Sequence, residues 1–368
     1  MLTGADEYPF HQSAEPIAFA GTDRNFYDRF FFNGYSADGD LFFAIALGLY
    51  PQLDIMDGAV CVLKDGKQHN VRVSKRMNGE RSALQVGPLS IDIQKPLHSS
   101  KIVLASCDSD ISLELTFEAR HAPVEEPRFT RRIGTRAFMD YTRLTQNVAW
   151  TGEIRLGSEI IKVEPSNVLG TRDRSWGVRP VGAKDSQPPA QGNLGQFFWL
   201  WNPCNFKDYV AFSHTNDDNF GRPWNRRAGI EKLGGELQEF DDVEYEYKWF
   251  DNSRRIKSVR ATLQHDSHEA TIELTPFQNF YMSGLGYTHP SWGHGMDHGD
   301  NAFSYDVIET AQCSDVDPLY FHIQAIAKAE LTFDGIKRSG LGVVEQLFIG
   351  AHQPSGMGDG LTLVRGDT

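Results

Sequence analysis

The chain has 368 residues, of which 40% are hydrophobic and 12% aromatic, and its mean hydropathy is −0.42. This composition is typical of a globular protein with ample apolar material for a core, and the length predicts two or three compact units. The formal net charge of −13 disfavours partners that carry many phosphates, so we expect no nucleic acid and no anionic membrane surface as a partner.

The cysteines and the start of the chain exclude several further classes. Cys61, Cys107, Cys204 and Cys313 are scattered without a paired spacing, which predicts neither a zinc knuckle nor a disulfide framework. The first residues lack a basic segment followed by an apolar run, and no run of about 18 apolar residues occurs. We therefore expect no signal peptide, no membrane span and a cytoplasmic location.

From residue 26 onward, short apolar or alternating runs are separated by turn residues, which is typical of antiparallel strands. Residues 41–50 form a continuous apolar run and predict a strand buried on both faces. The pair Asp65-Gly66 lies between two such runs and predicts a hairpin. The alternation over 112–119 predicts a strand with one wet and one buried face.

The second half repeats this pattern after a break. Residues 181–194 are rich in Gly, Pro and Gln without periodicity, so we place a domain junction there and divide the chain into domains 1–185 and 186–368. Helical patterning is weak throughout, and its best candidate, 318–328, is equally compatible with a strand. Regular strands and turns in both halves predict an all-β fold of two similar barrels or sandwiches.

A charged motif with an indole lies near the middle of the chain. Asp173 stands between Arg172 and Arg174, and Trp176 follows. If the guanidinium groups lie within about 4–6 Å, they hold the carboxylate ionised. Two interpretations stay open: a structural corner of salt bridges, or a carboxylate that faces a pocket and moves a proton.

A second unusual stretch contains His289, His294 and His298 among glycines. Pro290 and the glycines disfavour a helix, so these imidazoles belong to a loop. Their spacing matches no zinc motif. A hydrogen-bonded loop, a group that contacts substrate and a bound metal all stay open, and we assign no metal ligand.

The aromatic run over 197–201 carries Trp199 and Trp201 on one face of a predicted strand. Such a run more often belongs to a core than to a ligand wall, but one face can line a cavity. His214 ends the next apolar run and is either a pocket histidine or a structural one.

Nucleotide and hydrolase motifs are absent from the sequence. There is no Gly-x-Ser-x-Gly, no Gly-x-Gly-x-x-Gly and no Walker-type loop. An all-β chain also lacks the strand-to-helix turn on which the nucleotide loops depend, so we expect no organic cofactor.

The stretch 172–177 resembles the Asp-His-Asn-Trp-Gly-like signature of the carotenoid 1,2-hydratase (hydroxyneurosporene synthase) and AttH-like superfamily. The stretches 289–299 and 340–346 are similar to a bacterial branch of that group, and the resemblance extends over about 26–350. It implies two packed lipocalin-like β-barrel domains with an apolar ligand site at or near their junction. It also implies hydration or cyclisation of terpenoids and polyenes without an organic cofactor, and fungal relatives of the fold are pericyclases.

The resemblance places the family's proton-donating Asp at Asp173. This sequence departs from the signature because Arg174 stands where the family has His. A flanking guanidinium lowers the pKa of a carboxyl and makes it a weaker acid at neutral pH. Asp173 would then act as a base or join the two barrels.

The preferred hypothesis is a hydratase, lyase or isomerase for a hydrophobic terpenoid, steroid or aromatic molecule. A lipocalin-like carrier that binds such a molecule unchanged is the alternative, a metal-dependent enzyme is a third, and a homodimer is left open. The expected proton-transferring residues are Asp173, His294 and His214. The expected substrate-binding residues are Trp176, Trp199, Trp201, Tyr287, Trp292, Arg174 and His298.

Overall fold

A computed structural model of the chain describes residues 2–10, 16–19, 21–187, 195–266 and 268–360. Among these residues the regular structure is antiparallel strand, with short 3-10 turns and no α-helix. The 3-10 turns are Gly4–Glu7, Pro51–Leu53, Met282–Leu285, Thr310–Gln312, Pro318–Tyr320 and Gln353–Ser355. The predicted all-β class with two lipocalin-like domains is confirmed.

The chain forms two compact units, the first made of Met1–Asn193 and Ser283–Glu309, the second of Leu194–Met282 and Thr310–Thr368. The predicted junction over 181–194 is described only to residue 187, and its remainder lies outside the described residues. The division at residue 185 stays a prediction.

The first unit contains one antiparallel sheet, in which β21 comes from the second of its two chain segments. Its strands are β1 Phe26–Ser36, β2 Leu41–Tyr50, β3 Ile55–Lys64, β4 Lys67–Arg76, β5 Gln85–Val86, β6 Leu89–Lys95, β7 Ser99–Leu104, β8 Ile111–Ala119, β9 Val124–Glu125, β10 Phe129–Ile133, β11 Arg136–Leu156, β12 Glu159–Val163, β13 Val168–Val178 and β21 Ala302–Glu309. The strand order is β21-β4-β3-β2-β1-β13-β11-β8-β7-β6-β5.

The local predictions for this unit hold. The run 41–50 is β2, which is buried along its whole length. The hairpin turn lies between β3 and β4, and Asp65 and Gly66 both have positive φ, as a two-residue type I′ turn requires. Residues 112–119 lie in β8 and alternate between buried and more exposed positions.

The period of two divides the residues of β1 between two buried faces. Phe30 and Phe32 enter a hydrophobic core that also contains Phe43, Phe117 and Trp150. Arg29, Phe31 and Asn33 occupy the opposite face of the sheet. Because neither face is left to solvent, β1 and β2 read as nearly continuous apolar runs.

Buried ion pairs lie on the same face as that core. Arg172 binds Glu7 with 2.6 Å between Nη1 and Oε1, and Arg174 binds Asp28, with all four side chains almost fully buried. The Oδ2 atom of Asp28 also lies 4.0 Å from Nη2 of Arg81. Arg172 and Arg174 thus bind other carboxylates on the face opposite to Asp173, because neighbours along a strand point to opposite faces.

The segment Ser283–Glu309 packs on the other face of the sheet. It ends in β21, which pairs with β4 along its whole length. Gly284 lies so close to β4 that an added Cβ would approach Asn70 Oδ1 to 2.3 Å. A side chain at this position would push the segment away, so glycine is what permits the close approach.

The second unit is a nine-stranded antiparallel sheet with the order β17-β16-β15-β14-β23-β22-β20-β19-β18. Its strands are β14 Phe197–Phe206, β15 Tyr209–Asp217, β16 Pro223–Lys232, β17 Leu237–Phe240, β18 Asp242–Trp249, β19 Ile256–His265, β20 His268–Tyr281, β22 Ile323–Phe333 and β23 Ile336–Ile349. The ambiguous run 318–328 is a 3-10 turn followed by the start of β22.

The buried ion pairs of the first unit allow a stability test. We expect Asp28→Asn to lower the free energy of unfolding by about 3 to 5 kcal/mol, because it leaves the Arg174 guanidinium buried without its anion. Urea unfolding of the purified variant measures this loss.

The matched control is Glu114→Gln. Glu114 in β8 also pairs with a cation on the neighbouring strand, with 2.7 Å between its Oε1 and Nζ of Lys101, but its side chain is 65% exposed. We expect a change below about 1 kcal/mol. Equal losses in the two variants would contradict the assignment of Asp28 as the anion that neutralises Arg174.

Candidate functional site

A recess opens on the polar face of the first unit's sheet, against the loop that precedes β21. Ala46 and Ala59 are among its lining residues, and the enclosed space is about 10 Å³, which is room for roughly one water molecule. Its walls are Arg29, Asp57, Arg72 and Ser74 from the strands and Leu285, Trp292, Met296 and His298 from the loop.

Strand register explains why the polar walls converge. Arg29 in β1 is opposite Gly48 in β2, Gly48 is opposite Asp57 in β3, and Asp57 is opposite Ser74 in β4. Residues opposite one another in antiparallel strands point to the same face. The middle of this row is Gly48, and the Tyr50 hydroxyl fills the space that a side chain there would take, 2.3 Å from where a Cβ would stand. Arg29 and Asp57 are therefore kept apart in the row.

Asp57 is the carboxyl of the recess, and both of its oxygens accept hydrogen bonds. The Tyr50 hydroxyl donates to Oδ1 at 3.1 Å, and the Gly295 N–H donates to Oδ2 at 2.7 Å. Burial raises the pKa of Asp57, and the Arg29 charge and these hydrogen bonds oppose the rise without cancelling it. Burial also raises the pKa of Tyr50 well above its usual range, so its hydroxyl stays a donor at neutral pH.

Gly295 is needed for this contact. Its φ of +72° lies in the left-handed region, and a Cβ there would come within 3.0 Å of the Tyr50 ring. A glycine therefore allows the loop to bring a backbone N–H to the carboxylate of Asp57.

Arg29 is the principal cation of the recess. Its side chain is almost fully buried, and its guanidinium lies 5.0 Å from the centre of the Tyr287 ring. Among the described residues, its Nε and Nη1 atoms have no hydrogen-bond partner. Buried guanidinium N–H groups are normally paired, so this arrangement leaves donors available to a bound molecule.

Three further polar atoms at the recess lack a partner within the described part of the chain: Arg72 Nε, Ser74 Oγ and His298 Nε2. The Arg72 charge itself is neutralised by Asp306, with 2.5 Å between Nη1 and Oδ2. The His298 ring stacks on Trp292 with 3.9 Å between the ring centres.

A second group of aromatic residues lies beside the recess. The Arg179 guanidinium lies 4.4 Å from the centre of the Tyr27 ring and donates to Nδ1 of His294 at 3.3 Å. His294 Nε2 in turn donates to the Leu285 carbonyl at 3.0 Å, which fixes the neutral tautomer that accepts from Arg179. Burial raises the pKa of Tyr27 to about 12, against the opposing charge of Arg179, so its hydroxyl is neutral at pH 7.

Of the residues predicted from the sequence, Tyr287, Trp292, His294 and His298 lie together at or beside this recess. Asp173 lies on the same face of the sheet as Arg29, one strand further along in β13. Its carboxylate is 12% exposed and binds Arg143, with 3.0 Å between Oδ2 and Nη2.

Arg174 and Trp176 do not point to this face. Phe30 is opposite Arg174 and Asp28 is opposite Trp176, so both side chains project to the side of the sheet that carries the core. Arg174 is fully buried there in its pair with Asp28.

Trp199, Trp201 and His214 belong to the second unit, where all three are buried on one face of its sheet. The Trp199 indole N–H donates to Glu345 Oε1 at 2.9 Å, and His214 Nε2 is 2.6 Å from Asn225 Oδ1. Glu345 also contacts His322 Nε2 at 2.7 Å.

The histidines of the loop bind neighbours within the protein. His289 Nδ1 accepts from the Trp292 N–H at 2.9 Å, and the contacts of His294 and His298 are given above. Within the described ranges, no group of three or more His, Cys, Asp or Glu side chains is placed to hold a metal ion.

Comparison with known proteins gives the chain's family. A family model described as "Family of unknown function (DUF8625)" matches residues 2–358. The chain belongs to this family. No curated protein matches the sequence. The described part of the chain contains no helix with the length and hydropathy needed to span a bilayer.

Several solved structures are similar to this chain. The AttH protein NE1406 of Nitrosomonas europaea has 14% sequence identity and a TM-score of 0.52, with 92% of this chain and 98% of that chain covered. Kievitone hydratase of Nectria haematococca has 12% identity and a TM-score of 0.52, with 87% and 88% covered. CghA has 10% identity and a TM-score of 0.50, with 89% of each chain covered. At these identities the likeness shows the shared fold alone.

Sequence reasoning missed Arg29 and Asp57. A signal was present, since each is a charged residue inside a strand that is otherwise largely apolar. A charge at such a position is rarely buried unless it is paired or functional. The motifs richer in charge and histidine drew attention instead.

The raised pKa of Asp57 predicts a pH dependence of stability. Asp57 holds its proton more tightly in the native state than in the unfolded chain, where an aspartate has a pKa of about 3.9. The free energy of unfolding should therefore fall as pH rises from about 4 through the native pKa, and Asp57→Asn should lack this fall. Urea unfolding of both proteins across this range measures the difference.

Asp297 offers a control of opposite sign on the same loop. Its N–H bond from Gly299, with help from Arg76, lowers its pKa. The free energy of unfolding of the natural protein, relative to that of Asp297→Asn, should therefore rise with pH and fall as pH drops through the native pKa of Asp297. If the stability difference between the natural protein and Asp57→Asn changes with pH in the same direction as the difference for Asp297→Asn, burial is not the main influence on the pKa of Asp57.

Proposed function

We propose that the protein is a cofactor-independent hydratase, lyase or isomerase that acts on a hydrophobic small molecule by acid–base proton transfer. The observation that supports this most is a carboxyl with a raised pKa, Asp57, in a recess whose opposite wall is aromatic. Kievitone hydratase, with the same fold, is by its name a hydratase, and the sequence resembles the carotenoid 1,2-hydratase group.

Asp57 is the proposed proton donor and acceptor. A general acid works best when its pKa lies near the operating pH, and burial moves Asp57 in that direction. Tyr50 and Gly295 hold the carboxyl in place from two directions. It lines the recess together with Ala46 and Ala59.

The proposed hydration is balanced in protons. Asp57 gives its proton to one carbon of an alkene, water forms the new C–O bond at the other carbon, and the proton released by that water returns to the Asp57 carboxylate. Elimination is the same sequence in reverse. In isomerisation Asp57 protonates one carbon of the alkene and its carboxylate then takes a proton from a different carbon, so the double bond moves without addition of water. The Trp292 face supplies an apolar surface for the reacting molecule.

Asp173, His294 and His214 stay proposed proton-transferring residues alongside Asp57. Asp173 binds Arg143, an arrangement that favours the carboxylate and suits a base more than an acid. His294 is engaged on both ring nitrogens, so it is placed to orient Arg179 and the loop.

The first test is conversion of a panel of hydrophobic alkenes and alcohols, with products detected by mass spectrometry as the gain or loss of one water or as a shifted double bond. We expect turnover by the natural protein and a loss of about 10²- to 10⁴-fold in kcat for Asp57→Asn, because a general acid–base contributes on that scale. Asp92→Asn, which changes an exposed aspartate of the same sheet, should retain full activity.

Three outcomes would change the proposal. If Asp173→Asn loses turnover while Asp57→Asn keeps it, the proton-transferring residue is Asp173 and not Asp57. Tight binding of panel members without any product would identify the lipocalin-like carrier instead. Equal loss of activity and folding in Asp57→Asn would make Asp57 structural.

A further inference from the structure

The recess contains more hydrogen-bond donors than the protein itself uses. Arg29 offers Nε and Nη1, and Arg72 offers Nε, all without partners among the described residues. Ser74 contributes an unpaired hydroxyl. All three side chains are at least 97% buried, with exposures of 2%, 3% and 1%.

Unused donors of this kind destabilise the empty protein. A buried polar atom without a partner lowers stability, and the cost is larger when the group is charged. The same guanidinium becomes favourable when an anion occupies the recess, because charge-assisted hydrogen bonds are stronger than neutral ones. The arrangement is thus expected of a site that is completed by a ligand.

The charges of the recess specify a single negative charge. Arg72 is neutralised by Asp306, whereas Arg29 has no ion-pair partner within the described residues at salt-bridge distance. The carboxyl of the recess is Asp57, whose two oxygens accept hydrogen bonds from Tyr50 and Gly295. One guanidinium is therefore left without a bound anion, whereas a second negative charge on the ligand would face the carboxyl of Asp57.

The size of the recess limits the ligand group that can enter it. The enclosed space of about 10 Å³ is narrow and opens to solvent at its mouth, so only the polar end of a ligand can enter. The N–H groups of Arg29 Nε and Nη1 lie in the guanidinium plane but point in different directions, so they donate at two separate positions. Trp292 and Met296 give the adjoining wall an apolar character.

We propose that this recess binds the carboxylate of a hydrophobic acid, with Arg29 as its principal partner and Ser74 and Arg72 Nε as further donors. This inference rests on the proposed function in one respect: it places the carboxylate-bearing end of the substrate beside Asp57. In that position the carboxylate of an unsaturated acid holds the neighbouring double bond close to the proton of Asp57. Arg29 is a binding residue in this arrangement.

The test is binding, which does not depend on turnover. Isothermal titration calorimetry at pH 7 compares trans-cinnamate, the neutral trans-cinnamamide of the same shape, and inorganic phosphate. We expect cinnamate to bind and cinnamamide to bind at least about 10-fold more weakly, because a hydrogen bond to a charged group contributes about 1.5–3 kcal/mol. Phosphate should bind more weakly than cinnamate, since it lacks the apolar part and carries additional charge.

Substitution of Arg29 separates a binding role from a structural one. Arg29→Met should weaken cinnamate binding about 10- to 150-fold while its melting temperature stays equal or rises, because the variant removes a buried charge that lacks a partner. Arg29→Lys should recover part of the affinity, since it restores the charge without the planar pair of donors. Arg155→Met, at an exposed position of the same sheet, should change neither property.

Each of the following results would overturn one part of the proposal. Equal affinity for cinnamate and cinnamamide, or no binding of any of the three probes, removes the anion site. Stronger binding of phosphate than of cinnamate makes the site a phosphate site. A fall in melting temperature for Arg29→Met with unchanged cinnamate affinity makes Arg29 structural.

Failure of this inference and failure of the proposed function are distinguishable. Carboxylate binding that depends on Arg29, without conversion of any panel member, leaves the binding site and removes the catalysis. Conversion of neutral alkenes that depends on Asp57, without carboxylate binding, leaves the catalysis and removes the anion site.

Discussion

The separation of Arg29 from Asp57 is the feature on which the candidate site depends. The two residues lie in one cross-strand row, and Gly48 stands between them, where its missing side chain leaves room for the Tyr50 hydroxyl. A direct ion pair would neutralise both groups and fill the recess with protein. Their separation leaves a guanidinium with unused donors and a carboxyl with a raised pKa, which are the two properties that the proposed chemistry requires.

Burial of both faces of the sheet makes this separation consequential. On one face, arginines and carboxylates are neutralised in direct contact, as in Arg174 with Asp28. On the other face, the loop before β21 covers the strands and removes water from Asp57 and Arg29. Arg72 with Asp306 and Arg143 with Asp173 are also paired there, whereas Arg29 and Asp57 remain apart.

The loop between Ser283 and β21 completes the site. Gly284 permits its close approach to β4, and Gly295 brings a backbone N–H to Asp57. His294 and His298 fix this loop through Arg179, the Leu285 carbonyl and the Trp292 ring. The histidines that attracted attention in the sequence thus hold the wall of the recess in place, and the shape of the recess depends on them.

The sequence by itself determined the all-β class, β2 and the hairpin between β3 and β4, because these depend on local periodicity and turn residues. It left 318–328 open between helix and strand. It also indicated Tyr287, Trp292, His294 and His298 as a group, since they are neighbours along the chain. Only the tertiary structure decided that Asp173 contacts Arg143 and not its sequence neighbours, because register across strands sets those contacts. It also decided that Arg29 and Asp57, 28 positions apart, share one recess with a loop more than 220 residues further along. Long-range strand pairing brings such residues together, and a single sequence carries no local record of it.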